Sequence, residues 1–420
     1  MRYPNFYIIK QNFIDDSISD IDTIVQREIK RLNISNEILS GASVALTAGS
    51  RGISQISEVI KSVVKILQLL GAKPFIIPAM GSHGGGTAEG QVAILASYGI
   101  TEANINAPIV ANMEVELIGN TNEGISVFLD KAAFHADFIV PINRIKPHTD
   151  FTWSTESGIL KMLATGLGKK VGAETYHKET LEHGYGKVMQ SVGRTVLQNS
   201  SVLFGLGLIE NSLNKLSKIV AILPDDIEDT EKQLLIEARN KIAKLPNHDI
   251  DVLILDEIGK NVSGTGMDPN VTGRGLTKEK KLSKPRIKRI IVRELSAGSN
   301  GNANGIGLAD FVTERLVKSI DFNATYTNCL TGMFPEAGKI PITYKDDKSV
   351  LDAALSTIGN IQAHNSRIVW IRNTSKLSEI IVSEQLFNEI TKESSFEFVK
   401  RIGDLHFDNF NNLISPFQIE

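Results

Sequence analysis

Ser43-Val44-Ala45-Leu46-Thr47 runs into Ala48-Gly49-Ser50-Arg51-Gly52, and this stretch, read together with the residues up to Gly90, decides the fold class. The first five residues read as a short buried strand, and the glycines read as a turn. From Ile56 to Leu70, Ile60, Val63, Val64 and Leu67 recur at helical spacing, and Gly71 suits a helix stop. Lys73-Pro74-Phe75-Ile76-Ile77-Pro78 is a second strand. It ends in Met80-Gly81-Ser82-His83-Gly84-Gly85-Gly86, after which Thr87-Ala88-Glu89-Gly90 opens another helix.

The rhythm of strand, polar glycine-rich loop and helix recurs outward from there, at Asp137–Pro141, Asp251–Leu255 and Ser366–Ile371. It is the pattern of a mostly parallel α/β sheet, in which ligands bind at loops beyond the carboxyl ends of strands. A chain of 420 residues is too long for one core. Glu228 to Lys244 has a charged amphipathic helix pattern, broken by Leu245-Pro246-Asn247-His248. The expected architecture is therefore two α/β domains with mostly parallel sheets, residues 1–248 and 249–420, with the active site in the cleft between them.

Composition excludes several function classes. The net charge of -3 gives no basic surplus for nucleic acid. The single cysteine, Cys329, allows neither an internal disulfide nor a multi-cysteine zinc site. The N-terminal residues lack a signal-peptide core, and no apolar run reaches the roughly 18 residues of a membrane span. A soluble cytoplasmic protein is expected.

Four loops carry the polar chemistry. In Thr47-Ala48-Gly49-Ser50-Arg51, the arginine suits a carboxylate or phosphate. In Gly81-Ser82-His83, glycines open access to a histidine. The densest stretch runs from Asn143 through His148 and Ser157-Gly158-Ile159-Leu160-Lys161 to Thr165-Gly166-Leu167-Gly168-Lys169 and His177. Cations there, beside Met162-Leu163-Ala164, would be costly to bury without an anionic partner. The fourth loop, residues 258–274, holds Lys260, Asn261 and Arg274, and its length favours a function. His135, His183, His248, His364 and His406 lack supporting neighbours and read as ordinary surface or packed residues.

Together these loops resemble the nickel-dependent lactate racemase family. The resemblance covers most of the chain and is sharpest from Leu46 to Lys178 and at 259–274. His83 matches a catalytic histidine in a Gly-x-His element. His148 matches a second, upstream of the Ser-Gly-x-x-Lys element at 157–161. His177 follows Lys161 by 16 positions, as a metal-binding histidine does in the family. The chain departs from the pattern in its insert-like residues 151–156, in lacking an acidic residue before the arginine loop, and around Lys260-Asn261.

The resemblance implies a racemase or epimerase inverting C2 of a 2-hydroxy acid by hydride transfer to a nickel-pincer nucleotide, a pyridinium mononucleotide-derived group. It implies that Lys161 tethers that cofactor and His177 ligates nickel. Ser157, Gly158, Thr165, Gly166, Gly168 and Lys169 would line the cofactor. His83 and His148 would be the paired acid/base groups. Arg51, Ser50, Lys260, Asn261 and Arg274 would bind a substrate longer or more hydroxylated than lactate. Cofactor-synthesis enzymes are implied as partners, and an oligomer is compatible with this reading. A nicotinamide dehydrogenase is disfavoured by the lack of G-x-G-x-x-G after the first strand. A non-enzymatic binding protein on the same fold is the remaining alternative.

Overall fold

The structure is a computed structural model describing residues 1–34, 39–280, 285–391 and 393–417. The chain divides into two compact units, Asp15–Ile242 and Met1–Ile14 with Ala243–Glu420.

In the unit of residues 15–242, the strand Ser43–Ala48 lies between Lys73–Pro78 and Phe138–Val140, parallel to both. The helix Ile56–Leu69 buries Ile60, Val63, Val64 and Leu67, the face anticipated from their spacing, together with Val59, in the same core cluster as Val44 and Leu46. A second sheet pairs Ile142–Arg144 in parallel with Gly205–Glu210, which pairs antiparallel with Leu216–Ile222. A separate antiparallel pair joins Val115–Asn120 to Ser126–Asp130. The Gly84–Gly86 turn leads into the helix Ala88–Ser97, whose first turn is capped by the Thr87 hydroxyl accepting from Gly90 N at 3.1 Å.

The other unit is built on an eight-stranded mixed sheet. Five parallel strands, Ile342–Tyr344, Phe311–Thr313, Ile287–Leu295, Ile250–Ile258 and Ile368–Ile371, lie in that spatial order. Three antiparallel strands extend it: Glu379–Ser383, Phe6–Gln11 and Phe396–Gly403.

The unit division differs from the anticipated 1–248 and 249–420. The break falls at 242/243, and the first fourteen residues belong with the C-terminal part. The reason is strand pairing. Phe6–Gln11 is hydrogen-bonded on both edges by strands that lie more than 360 residues later, and Phe6 and Ile9 are buried in that unit's cores. Among the described residues, no helix is long and apolar enough to cross a membrane.

Candidate active site

Three loops of the unit 15–242 meet around Lys161. Residues 49–54 follow the strand Ser43–Ala48, residues 79–86 follow Lys73–Pro78, and residues 145–158 follow Ile142–Arg144. All are loops beyond the carboxyl ends of strands, where an α/β sheet gathers its functional side chains.

Lys161 closes the short helix Ile159–Lys161 and stands before a π-helical stretch, Met162–Gly166. Such π segments are rare and occur often at functional sites. The Thr165 hydroxyl donates to the Lys161 carbonyl at 2.9 Å. The Lys161 Nζ lies 2.6 Å from Nε2 of His148. Desolvation pulls the amine down to about 8; Asp150 opposes the fall, and Arg51 and Lys146 reinforce it. The proton on His148 is placed by its other nitrogen. Nδ1 accepts from the Asp150 backbone N–H at 3.1 Å, so a neutral imidazole carries its hydrogen on Nε2. Where the amine is neutral, above about 8, that Nε2–H donates to Lys161 Nζ.

His148 is held on several sides. Its backbone N–H donates to Glu156 Oε2 at 2.6 Å. Its ring stacks on Phe151 with centroids 4.4 Å apart. Phe151 stacks in turn on Tyr185 at 5.4 Å, and Tyr185 lies 5.9 Å from the His177 ring. A continuous run of aromatic rings thus connects His148 to His177, which sits on the helix Lys169–His183.

The second histidine, His83, bonds through Nδ1 to the Ser50 hydroxyl. Its loop is fixed by buried Gln91, whose amide donates to the carbonyls of Gly81 and His83 at 3.0 and 3.3 Å. Gly81 adopts a φ of 57°, and a Cβ there would stand 3.1 Å from the Thr165 carbonyl. Glycine therefore allows both the turn and the close approach of the His83 loop to the Lys161 segment. The Arg51 loop is tied down by Glu210, which accepts from Ser54 N at 2.7 Å and pairs with Arg144. Arg51 itself is exposed.

Residues 14–187 match the model of the lactate racemase N-terminal domain. That similarity covers residues 14–187, the part of the chain that holds the three loops. Within the matched residues lie Arg51, His83, His148, Lys161 and His177, all five on the loops and helices just described. Among solved structures, the lactate racemase apoprotein from Thermoanaerobacterium thermosaccharolyticum is similar in fold. The two are 14% identical with a TM-score of 0.53, over 89% of this chain and 99% of that one. No curated protein sequence matches the chain.

Several expected contacts take a different form. Lys169 does not offer its ammonium to a cofactor phosphate: it is fully buried, 2.9 Å from Asp130 Oδ2 and 2.6 Å from the Pro78 carbonyl. Gly168 packs against Tyr176 and the Ala164 carbonyl, and Gly166 accepts from Gly81 N through its carbonyl. Ser157 exchanges backbone hydrogen bonds with Lys146. In the other unit, Arg274 is engaged by Asp310 at 2.6 Å and by the carbonyls of Ile287, Lys288 and Leu308. It ties local structure together there, which argues against a role in binding substrate. Lys260 donates to the Asn328 side chain, and Asn261 accepts from the Ser296 hydroxyl at 2.6 Å. Among the described residues, no group of three or more His, Cys, Asp or Glu side chains is arranged to hold a metal.

Sequence reading missed Glu156, Glu210, Tyr185 and Glu231. For Glu231 a signal existed. The helix Ile227–Lys241 buries Ile227, Glu231, Leu234, Leu235 and Ala238, so a carboxylate occupies a position in its apolar stripe.

Proposed function

We propose that the protein is a racemase or epimerase of a 2-hydroxy acid, working with a nickel-pincer nucleotide tethered to Lys161. The observation that carries this reading is the Lys161–His148 pair. An amine brought down to about 8 has a far larger neutral fraction near physiological pH than one at the ordinary 10.5, and only a neutral amine has the lone pair needed to form a covalent tether.

The residues fit such a group. Lys161 would bear it through a thioamide, and His177 would give nickel its protein ligand, imidazole being a suitable donor. When bound, the group would supply a hydride acceptor and donor, which no side chain can be. As a thioamide nitrogen, Nζ would no longer be a basic acceptor beside His148, and the imidazole would be turned toward other partners. His148 and His83 would each take or return the substrate hydroxyl proton, one for each configuration, since imidazole titrates near neutral pH. Arg51 would bind the substrate carboxylate through its guanidinium fork.

A longer or more hydroxylated acid than lactate is proposed as substrate. Enzymes that build the cofactor are the implied partners, and a cytoplasmic setting suits them. The test is intact-mass spectrometry with nickel analysis, on protein co-expressed with cofactor-building enzymes, beside Lys161→Ala. A nucleotide adduct with nickel, absent in the variant, is expected. No adduct in a host proven to make the cofactor would overturn the proposal.

A further inference from the structure

The helix Ile227–Lys241 presents a fully buried carboxylate to the start of the segment that bears Lys161. Glu231 Oε2 accepts the backbone N–H groups of Ile159 at 2.7 Å and Leu160 at 3.1 Å. These are the first amides of the short helix Ile159–Lys161, and they lack intrahelical acceptors. The residue that would ordinarily cap them, Gly158, has no side chain. It has no room for one either, because a Cβ there would collide with the Glu231 carboxylate. The cap is therefore supplied from a helix some seventy positions along the chain. The other carboxylate oxygen, Oε1, has no hydrogen-bond partner.

Eight residues further on, about two turns along the same helix face, Arg239 pairs with Glu156. Glu156 in turn accepts the backbone N–H of His148. One helix thus reaches both members of the Lys161–His148 pair, each through a carboxylate. Two backbone amides bound by one carboxylate fix the direction of the turn after them. Lys161 is the next residue.

We propose that Glu231 is a positioning residue that holds the Lys161 amine against His148 by capping the amides of Ile159 and Leu160. Its bearing on cofactor attachment rests on the reading of Lys161 as the tether. Positioning itself is measurable on the protein without cofactor. The apoprotein is treated with deuterated acetic anhydride across a pH series, and acetylation of Lys161 is read by peptide mass spectrometry.

The wild type is expected to react with a midpoint at about 8. Glu231→Ala, checked for folding by circular dichroism, is expected to move the midpoint upward by about one pH unit or more, as the released amine regains water. Glu231→Gln keeps an acceptor oxygen and is expected to retain the wild-type midpoint. A folded Glu231→Ala protein with the wild-type midpoint would overturn the proposal. Should that variant not fold, Glu231→Asp serves, being too short to reach the amides. Amide hydrogen exchange on the wild type adds an independent readout. Ile159 and Leu160 are expected to exchange as slowly as core strands, and exchange at the rate of exposed loops would refute the cap. A wild type that forms no nucleotide adduct while Glu231→Ala still shifts the midpoint would sink the tether reading and leave the positioning role standing.

Discussion

Nε2 of His148 and Nζ of Lys161 stand 2.6 Å apart, and desolvation has brought the amine down to about 8. The relationship joins two residues thirteen positions apart through a loop whose shape depends on Glu156.

The amine's position has a stability consequence. Its folded value lies below the ordinary 10.5, so the unfolded chain keeps the proton while the folded one releases it. Stability from this group rises as pH climbs from about 8 to 10.5 and is flat below that window. At pH 7 the charged amine costs roughly 1–3 kcal/mol, by the worth of each pKa unit. Lys161→Met, of similar length, should therefore raise the thermal midpoint at pH 7 while abolishing the adduct. The gain should shrink as pH approaches 10.5. Thermal unfolding over pH 6–10 (roughly the span of the effect) reads it, and a less stable variant at pH 7 would contradict the desolvation account.

Glu231 titrates in the opposite sense. Burial pushes its carboxyl up to about 7, against the pull of the Leu160 and Ile159 amides, with Glu228 adding to the rise. The unfolded chain loses its proton at the ordinary 4.5, so the contribution of this group is fully present below that value. It is lost as pH rises through about 7. Glu231→Gln should match the wild type near pH 4.5 and exceed it above pH 7 by about 1–3 kcal/mol. Denaturant unfolding of both proteins at the two pH values checks the sign.

Lys169 and Asp130 form a pair with both side chains wholly buried. Removing one partner leaves an uncompensated buried charge, so Lys169→Met alone should cost about 3–5 kcal/mol. Combining it with Asp130→Leu should recover much of that loss, since apolar replacement of both members is often tolerated. Urea denaturation of the single and double variants measures the coupling. A single variant as stable as the wild type would show that the ammonium is not held in the interior.

In the cofactor-loaded protein, removal of either proposed acid/base group should act on turnover. His83→Ala and His148→Ala should each lower kcat by about 10²–10⁴-fold. Arg51→Lys should act mainly on KM, because it loses the bidentate fork and keeps the charge. Chiral chromatography with enantiopure 2-hydroxy acids provides the assay. Full activity without His83 would remove it from the proton relay.

The sequence by itself determined the local elements. Apolar residues at helical spacing between Ile56 and Leu70, and strand-like runs at 43–47 and 73–78, form a helix and strands within a residue of those bounds because their periodicity matches a buried face. It also drew attention to the loops bearing Arg51, His83 and His148, since glycines and polar groups cluster visibly after strands, while Lys161 and His177, both on helices, stood out by their spacing and resemblance. Tertiary structure decided the rest. Lys169 reads as a cofactor-lining cation until Asp130 closes on it. Phe6–Gln11 reads as the start of the first domain until its two partner strands, near the other end of the chain, claim it. Glu231 hints at itself through its place in an apolar stripe, but its partners are backbone amides some seventy residues away, which have no signature in residue type. Periodicity is local and survives in the order of residues. The partner of a buried charge, or of an unpaired strand edge, is set only when distant segments pack and water is excluded.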